Sequence, residues 1–485
     1  MKRNKYFLET AQKLTPTIHK RKITVAGTNQ ELGKGDCVVF DFEDHYVGTV
    51  AIKLGYTGRH PDAPLYLSIS FCEHESELRE QDGEYHGWIS ESWIQKELVH
   101  VDELPGILKL TRRYAFRYVV IKVIGISSNY RAVVESITAT TVTSADDRRP
   151  KPLRASAREQ KIDAVAIRTL RNCMQSVFED GPKRDRRLWL GDLRLEALAN
   201  YETYRDYNLV KRCLYLFAGC TLDNGAVASN MFLTPEVECD DQSMFDYALF
   251  FINTLWDYYE ATGDDKTVSE LFTTAFRQYE LARERFADCE IIPDSEVLGW
   301  CFVDWNLNLN KQASAQAIYV YALKSLVKLC TVVGRPHDDI AFEIEQKSAA
   351  ARNTLWDTER GAFVSGEQKQ ISQATQIWMV LAGVVDRETA KTLLTSEPFR
   401  AAERIVTPYA YHGYVQALIN IGETELAKKV MLDYWGKMVD LGADTFWELF
   451  DPEDPDASPY GGKVVNSYCH AWSCTPTYFL RRYFC

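Results

Sequence analysis

Hydrophobic periodicity changes once along these 485 residues, and that change sets the limits on the fold. From Cys37 onward the apolar positions recur at period two. Val38, Phe40 and Phe42 are followed by Val50, Ile52 and Leu54, and Leu65, Leu67, Ile69 and Phe71 alternate with Tyr66, Ser68 and Ser70. Arg117–Gly125 and Arg131–Thr143 are rich in β-branched residues. Alternation of this kind gives each strand one buried face, so residues 1–150 are expected to form an antiparallel β-sandwich. Residues 1–35 are polar and carry no clear pattern. His74, Glu75, Trp88 and Trp93 fall in a polar insertion between strands. They read as cover for a sheet edge, with a reach into the following domain as the alternative.

The segment 144–160, with Pro150 and Pro152 among charges, reads as a linker. Beyond it the period becomes 3.6. Phe245, Leu249, Ile252, Trp256 and Tyr259 share one helical face, as do Ala315, Tyr319, Ala322, Leu323, Leu326 and Cys330. Gly263, Gly334 and Gly422 each follow one helical pattern and precede another, the signature of helical hairpins. Roughly ten to twelve helices are expected between residues 160 and 485.

The densest chemistry lies in thirteen residues, Asp180-Gly181-Pro182-Lys183-Arg184-Asp185-Arg186-Arg187-Leu188-Trp189-Leu190-Gly191-Asp192. A helix is expected from about Ile162 to Phe178, ended by Gly181-Pro182, and Asp192 suits the N-cap of the next. Two readings stay open here. Alternating acids and arginines can form a solvated salt-bridge loop. Trp189 beside carboxylates also supplies what a sugar site needs, an apolar platform for the ring and acids for the glycosidic bond.

Asp180-x-Pro182-x-Arg184-Asp185 followed by Trp189-x-Gly191-Asp192 resembles the signature of the α-L-rhamnosidases, glycoside hydrolase family 78. Thr445-Phe446-Trp447-Glu448 resembles that family's general-base segment, and Asn466-Ser467-Tyr468-Cys469-His470-Ala471-Trp472 its terminal His segment. The resemblance implies an (α/α)6 toroid catalytic domain behind the β-sandwich, and inverting hydrolysis of a terminal sugar. It implies Asp185 as the acid and Glu448 as the base. Asp180 and Asp192 would hold sugar hydroxyls, Arg184 would orient the acid, and Trp189, Trp305, Trp447 and His470 would contact the ring. Asp304, before Trp305 in the island Leu298–Trp305, would accept a hydroxyl. His412 is a weaker candidate. This chain departs from the family in carrying Asp185 where Glu is usual, and a shorter acid tends to widen the gap to the base. A carbohydrate-binding protein that keeps the pocket without the chemistry is the alternative.

Glu448 stands between aromatic Phe446 and Trp447 and the rigid loop that starts at Asp451-Pro452, and partial desolvation there would suit a base. A net charge of −12 argues against a nucleic-acid partner. No apolar run approaches about 18 residues, so no membrane span is expected. The N-terminus has no apolar core of a signal peptide. Twelve scattered Cys without a Cys-x-x-Cys pair suit buried thiols in the cytoplasm. Nine His without ligand spacing predict no metal site, and no cofactor is implied.

Overall fold

The computed structural model describes residues 1–79, 85–297 and 301–485. Leu298-Gly299-Trp300, the first part of the aromatic island, lies outside the described residues. The N-terminal body is a seven-stranded antiparallel sheet. Its order is His19–Ala26, Tyr130–Thr143, Cys37–Gly58, Gly106–Gly125, Leu65–Cys72 and Lys96–Val101, and Glu31–Leu32 adds a short pairing on Tyr130–Thr143. The separate period-two runs at 38–42 and 50–54 are one strand. It carries bulges between Asp41 and Tyr46 and between Gly48 and Val50. Bulges bend a strand and increase its twist. Residues from both halves of the long strand, Phe40 and Ile52 among them, share one apolar core with Ile69, Ile121 and Ile137. The layers expected of a sandwich are thus one hydrogen-bonded sheet curled around a single core.

The helical body contains eleven helices of nine or more residues between Ala157 and Asp440 among the described residues. They alternate between two rings. Ala157–Cys173, Tyr207–Gly219, Asp265–Glu284, Asp338–Thr354, Arg387–Thr395 and Thr424–Asp440 form the outer one. Leu190–Glu202, Phe245–Thr262, Gln312–Val333, Gln373–Leu381 and Pro408–Asn420 form the inner one. The 3-10 turn Ala471–Cys474 packs against both the first and the last of these inner helices and closes the ring with Pro476–Phe479. Each hairpin runs outward helix first, so every inner helix points the same way and all their N-termini meet at one end. Gly263 and Gly334 end their helices in the left-handed conformation, as glycine allows. Gln312–Val333 is long and apolar enough to cross a membrane. Here it is an inner helix packed against its neighbours in the ring.

Three local expectations are corrected. The first outer helix, capped by Ser156 and Glu159, ends at Met174 and not at Gly181-Pro182. Met174, Val177 and Phe178 continue the apolar pattern because they are buried, but in a tight reversal in which Met174 bridges Phe178. The charged segment after Thr143 is packed against that helix. Ser144 N–H donates to Met174 O at 2.8 Å, and Arg171 pairs with Asp147. Residues 1–35 also hold structure. The helix Lys5–Lys13 lies on Tyr207–Gly219 of the helical body, away from the sheet.

The two bodies meet through charged groups. Arg113 of the sheet binds Glu179 through two hydrogen bonds of 3.1 and 2.7 Å, and Arg117 bridges Asp41 to Asp444. Buried charges are tolerated when paired, and removing one partner strands the other. Arg113→Ala is expected to lower stability by about 3 kcal/mol, read as a depressed unfolding midpoint, because Glu179 is left buried without its cation.

Candidate active site

The loop from Asp180 to Arg187 is built around its own first side chain. Asp180 Oδ2 accepts the Asp185 N–H and Oδ1 the Arg187 N–H, each at 3.0 Å, and Asp180 N–H donates to Arg187 O. Gly181 is required for packing. A Cβ there would sit 2.4 Å from Arg184 O and 2.8 Å from Ser467 Oγ. The resemblance implies a sugar-hydroxyl role for Asp180; the structure gives both its oxygens to loop amides, so it is the organiser of the loop. Burial and the neighbouring Asp185 push its pKa well above the ordinary range.

Three consecutive residues leave this loop in different directions. The Lys183 ammonium goes into the protein, to Glu77 at 2.5 Å and Asn466 O at 2.9 Å. Arg184 donates from Nε to Val465 O at 2.8 Å, lies 3.9 Å over the Tyr460 ring, and pairs through Nη2 with Glu448. Its Nη1 is 3.8 Å from Asp185 Oδ1. Arg184 therefore fixes the expected base more closely than the expected acid, opposite to the reading from sequence. The Arg184–Asp185 peptide is cis. Asp185 keeps 23% of its side chain exposed, while burial and then the charge of Glu448 hold its pKa up against Arg184 and Arg187.

Glu448 is buried and held by three donors. Besides Arg184 these are Trp305 Nε1 at 3.2 Å and the Tyr460 hydroxyl, both on Oε1. Its main chain is fixed too, by Glu448 N–H to Ser467 O and Trp472 Nε1–H to Glu448 O. Tyr460 was missed from the sequence. Its only signal is a position beside Gly461-Gly462, downstream of the rigid Pro-rich loop.

Asp192 is not an N-cap. The inner helix starts at Leu190, because the short strand Leu188–Trp189 pairs with Asn230–Met231 and runs straight into it. Asp192 therefore lies in the first turn. Gly191 lets the helix approach Tyr247, whose ring would stand 2.4 Å from a Cβ at that position. Asp192 Oδ1 and His470 Nδ1 are 3.5 Å apart, and among the described residues neither has a hydrogen-bond partner, nor does Trp189 Nε1. Burial raises Asp192 well above the usual carboxylate range, with Asp180 and Glu448 adding to it. Burial, assisted by Arg184, holds His470 neutral. An acceptor, an imidazole and an indole N–H without partners are what a polyhydroxylated ligand could satisfy.

Two further expectations are corrected. Asp304 is closed to ligands. Its carboxylate accepts the N–H groups of Asn306, Val406 and Thr407 and the Thr407 hydroxyl at 2.6 Å, which pins the start of an inner helix. Trp447 turns away from Glu448 and packs against His74, Phe450 and Tyr468. The polar insertion does reach across: His74 Nε2 contacts Leu441 O at 3.2 Å, and Trp88, 69% exposed, donates from Nε1 to Pro459 O. His412 lines a cavity of about 420 Å³ among the C-terminal halves of the inner helices, at the other mouth of the ring.

One turn below Asp192, Glu196 is fully buried and neither oxygen has a hydrogen-bond partner among the described residues. Burial, with Asp192 and Asp180, raises its pKa well above normal. A carboxyl whose folded pKa is raised destabilises the fold as pH climbs above the unfolded value. Glu196→Gln is expected to raise the melting temperature by a few degrees at pH 7, with the gain vanishing as pH falls towards about 4.3, the ordinary Glu value. A pH-independent difference between the two melting curves would contradict this origin.

With the fold and site in place, comparison with known proteins is direct. Residues 9–141 match the glycosyl hydrolase family 78 alpha-rhamnosidase N-terminal domain, and residues 156–484 the bacterial alpha-L-rhamnosidase 6 hairpin glycosidase domain. No curated protein matches the chain. Among solved structures it is similar to a rhamnosidase from Klebsiella oxytoca with rhamnose bound, at 41% identity and a TM-score of 0.93, over 99% of either chain. A family 78 rhamnosidase of Bacillus sp. GL1 shares the fold at 22% identity and a TM-score of 0.77, over 92% of this chain and 46% of that one. The α-L-rhamnosidase of Streptomyces avermitilis complexed with L-rhamnose does so at 14% identity and a TM-score of 0.71, over 96% and 44%. A curled antiparallel sheet ahead of six closed helical hairpins, together with these matches, makes this chain a glycosidase of the bacterial α-L-rhamnosidase family, glycoside hydrolase family 78.

Proposed function

We propose that this glycosidase removes terminal α-L-rhamnose with inversion, Asp185 acting as general acid and Glu448 as general base. The observation that carries the reading is Arg184. One guanidinium reaches both carboxylates, so their separation is at most roughly 9 Å, the reach of its planar fork. That limit keeps the pair from standing wider than the about 6.5–9.5 Å of inverting enzymes, whose gap leaves room for the attacking water. Asp185 is the more exposed of the two, and its raised pKa suits a group that must arrive protonated. Glu448 must hold a water. Its three donors occupy three of about four lone-pair sites, which leaves one for that water. Asp192, His470 and Trp189 then take the sugar hydroxyls, and Trp305 offers its partly exposed ring face. Rhamnose as the sugar is supported by the Klebsiella oxytoca structure, which has rhamnose bound. All twelve cysteines are free thiols, which suits a reducing cytoplasm.

The test is hydrolysis of an aryl α-L-rhamnoside, with the anomer released first followed by NMR. The β-anomer of rhamnose is expected; α-anomer first would rule out inversion. Glu448→Gln should lower turnover at least about a hundredfold while the protein still binds rhamnose. Normal turnover in that variant would remove Glu448 from the mechanism.

The acid role predicts a pH signature. A general acid works protonated, so turnover falls as pH rises through the raised pKa of Asp185. Asp185→Asn should lose about 10²–10⁴ in rate and with it the alkaline limb. If the limb persists unchanged in Asp185→Asn, the proton comes from another group.

A further inference from the structure

The segment Glu73–Glu77 belongs to the sheet body. It follows the strand Leu65–Cys72 and turns into a one-turn helix capped by His74. Two of its three carboxylates, Glu73 and Glu77, face the helical body, and each grips a different loop of the site. Glu77 Oε1 accepts the N–H groups of Glu73 and His74 at 2.7 and 3.1 Å, which fixes its direction, and Oε2 takes the Lys183 ammonium at 2.5 Å. Both side chains are 1% exposed. Glu73 Oε2 accepts the Tyr468 N–H at 2.8 Å, two residues before His470. Its other oxygen is held by His45 Nε2 at 3.0 Å, while His45 Nδ1 accepts from Asn172 at 2.8 Å. Ser76 adds a hydroxyl contact of 2.9 Å to Tyr468.

Lys183 joins the two grips. Its ammonium also donates to Asn466 O at 2.9 Å, so one buried cation ties the acid loop to the His470 segment and both to the sheet. Lys183 lies two residues before Asp185 and cannot itself reach a substrate. Its effect must pass through the backbone into Arg184 and Asp185.

We propose that Glu77 of the sheet body is a positioning residue for catalysis, holding the acid loop in register through its buried ion pair with Lys183. The inference rests on the acid role given to Asp185 above. A buried ion pair is weak evidence for stability, since apolar groups of like volume often do as well, but it specifies one geometry. Catalysis is sensitive to such geometry: a misplacement of about 1 Å far from the chemistry can cost about a hundredfold.

The test compares wild type, Glu77→Gln, Glu77→Asp and the double variant Glu77→Gln/Lys183→Met, which removes both charges and so guards against misfolding. Two readouts are taken on the full chain, α-L-rhamnoside turnover and amide hydrogen exchange. In folded Glu77→Gln and in the double variant, kcat should fall about 10–100-fold with KM changed less than about threefold. Amides of residues 181–187 should exchange faster while the helices Ala157–Cys173 and Leu190–Glu202 keep their protection. Glu77→Asp should restore part of the rate. Wild-type kcat together with wild-type protection of the loop in the double variant would overturn the inference. If wild type itself shows no turnover, it is the rhamnosidase reading that fails, and the exchange arm still decides whether Glu77 holds the loop.

Discussion

A guanidinium buried between two carboxylates is the constraint that orders this site. Arg184 is fully desolvated, so its charge must be matched where it lies. Glu448 matches it, the Tyr460 ring covers its face, and Val465 O takes a third contact. Those three groups come from one stretch of the chain near its end, whereas Arg184 comes from the first hairpin. The pairing therefore closes the ring chemically at the point where Ala471–Cys474 closes it sterically. The orientation of Glu448 follows from that one charge, and Trp305 and Tyr460 then donate to its other oxygen.

The outer parts of the structure serve the same end of the ring. All inner helices start there, so their N-terminal dipoles favour negative charge in the cavity they surround. This helps a site that gathers Asp180, Asp185, Asp192, Glu196 and Glu448 within a few turns of one another. Burial pushes several of these acids towards their protonated forms, while Arg184 pairs directly with Glu448.

Much of this was legible in the sequence, and the rest was hidden for identifiable reasons. The switch of period near residue 150 reads out the two bodies, because period reports which side of each element is buried. Gly263 and Gly334 mark real helix ends, because only a left-handed residue closes them cheaply. The reversal at Met174–Phe178 deceived the reading, since its buried Met174, Val177 and Phe178 are apolar whatever the backbone does. Asp192 looked like a cap because sequence cannot show that Leu188–Trp189 pairs with a strand forty residues away. Asp304 and Asp180 looked like ligands for sugar because the family resemblance implied it; their partners are mainly backbone amides, which no residue pattern displays. Lys183 and Glu77 are 106 residues apart, so neither alone suggests the other.

The helix Lys5–Lys13 rests on the helical body, with Asn4 N–H donating to Gly219 O, although the sheet follows it directly. Topologically the sheet is therefore an insertion: residues 2–13 and 157–485 make one body, and the strands loop out from it and return. A module tethered at both ends cannot swing about a single hinge as a bead on a string does. Nor can it be exchanged as a cassette by one crossover in the 144–156 segment, because the incoming chain would lack the strap that covers Tyr207–Gly219.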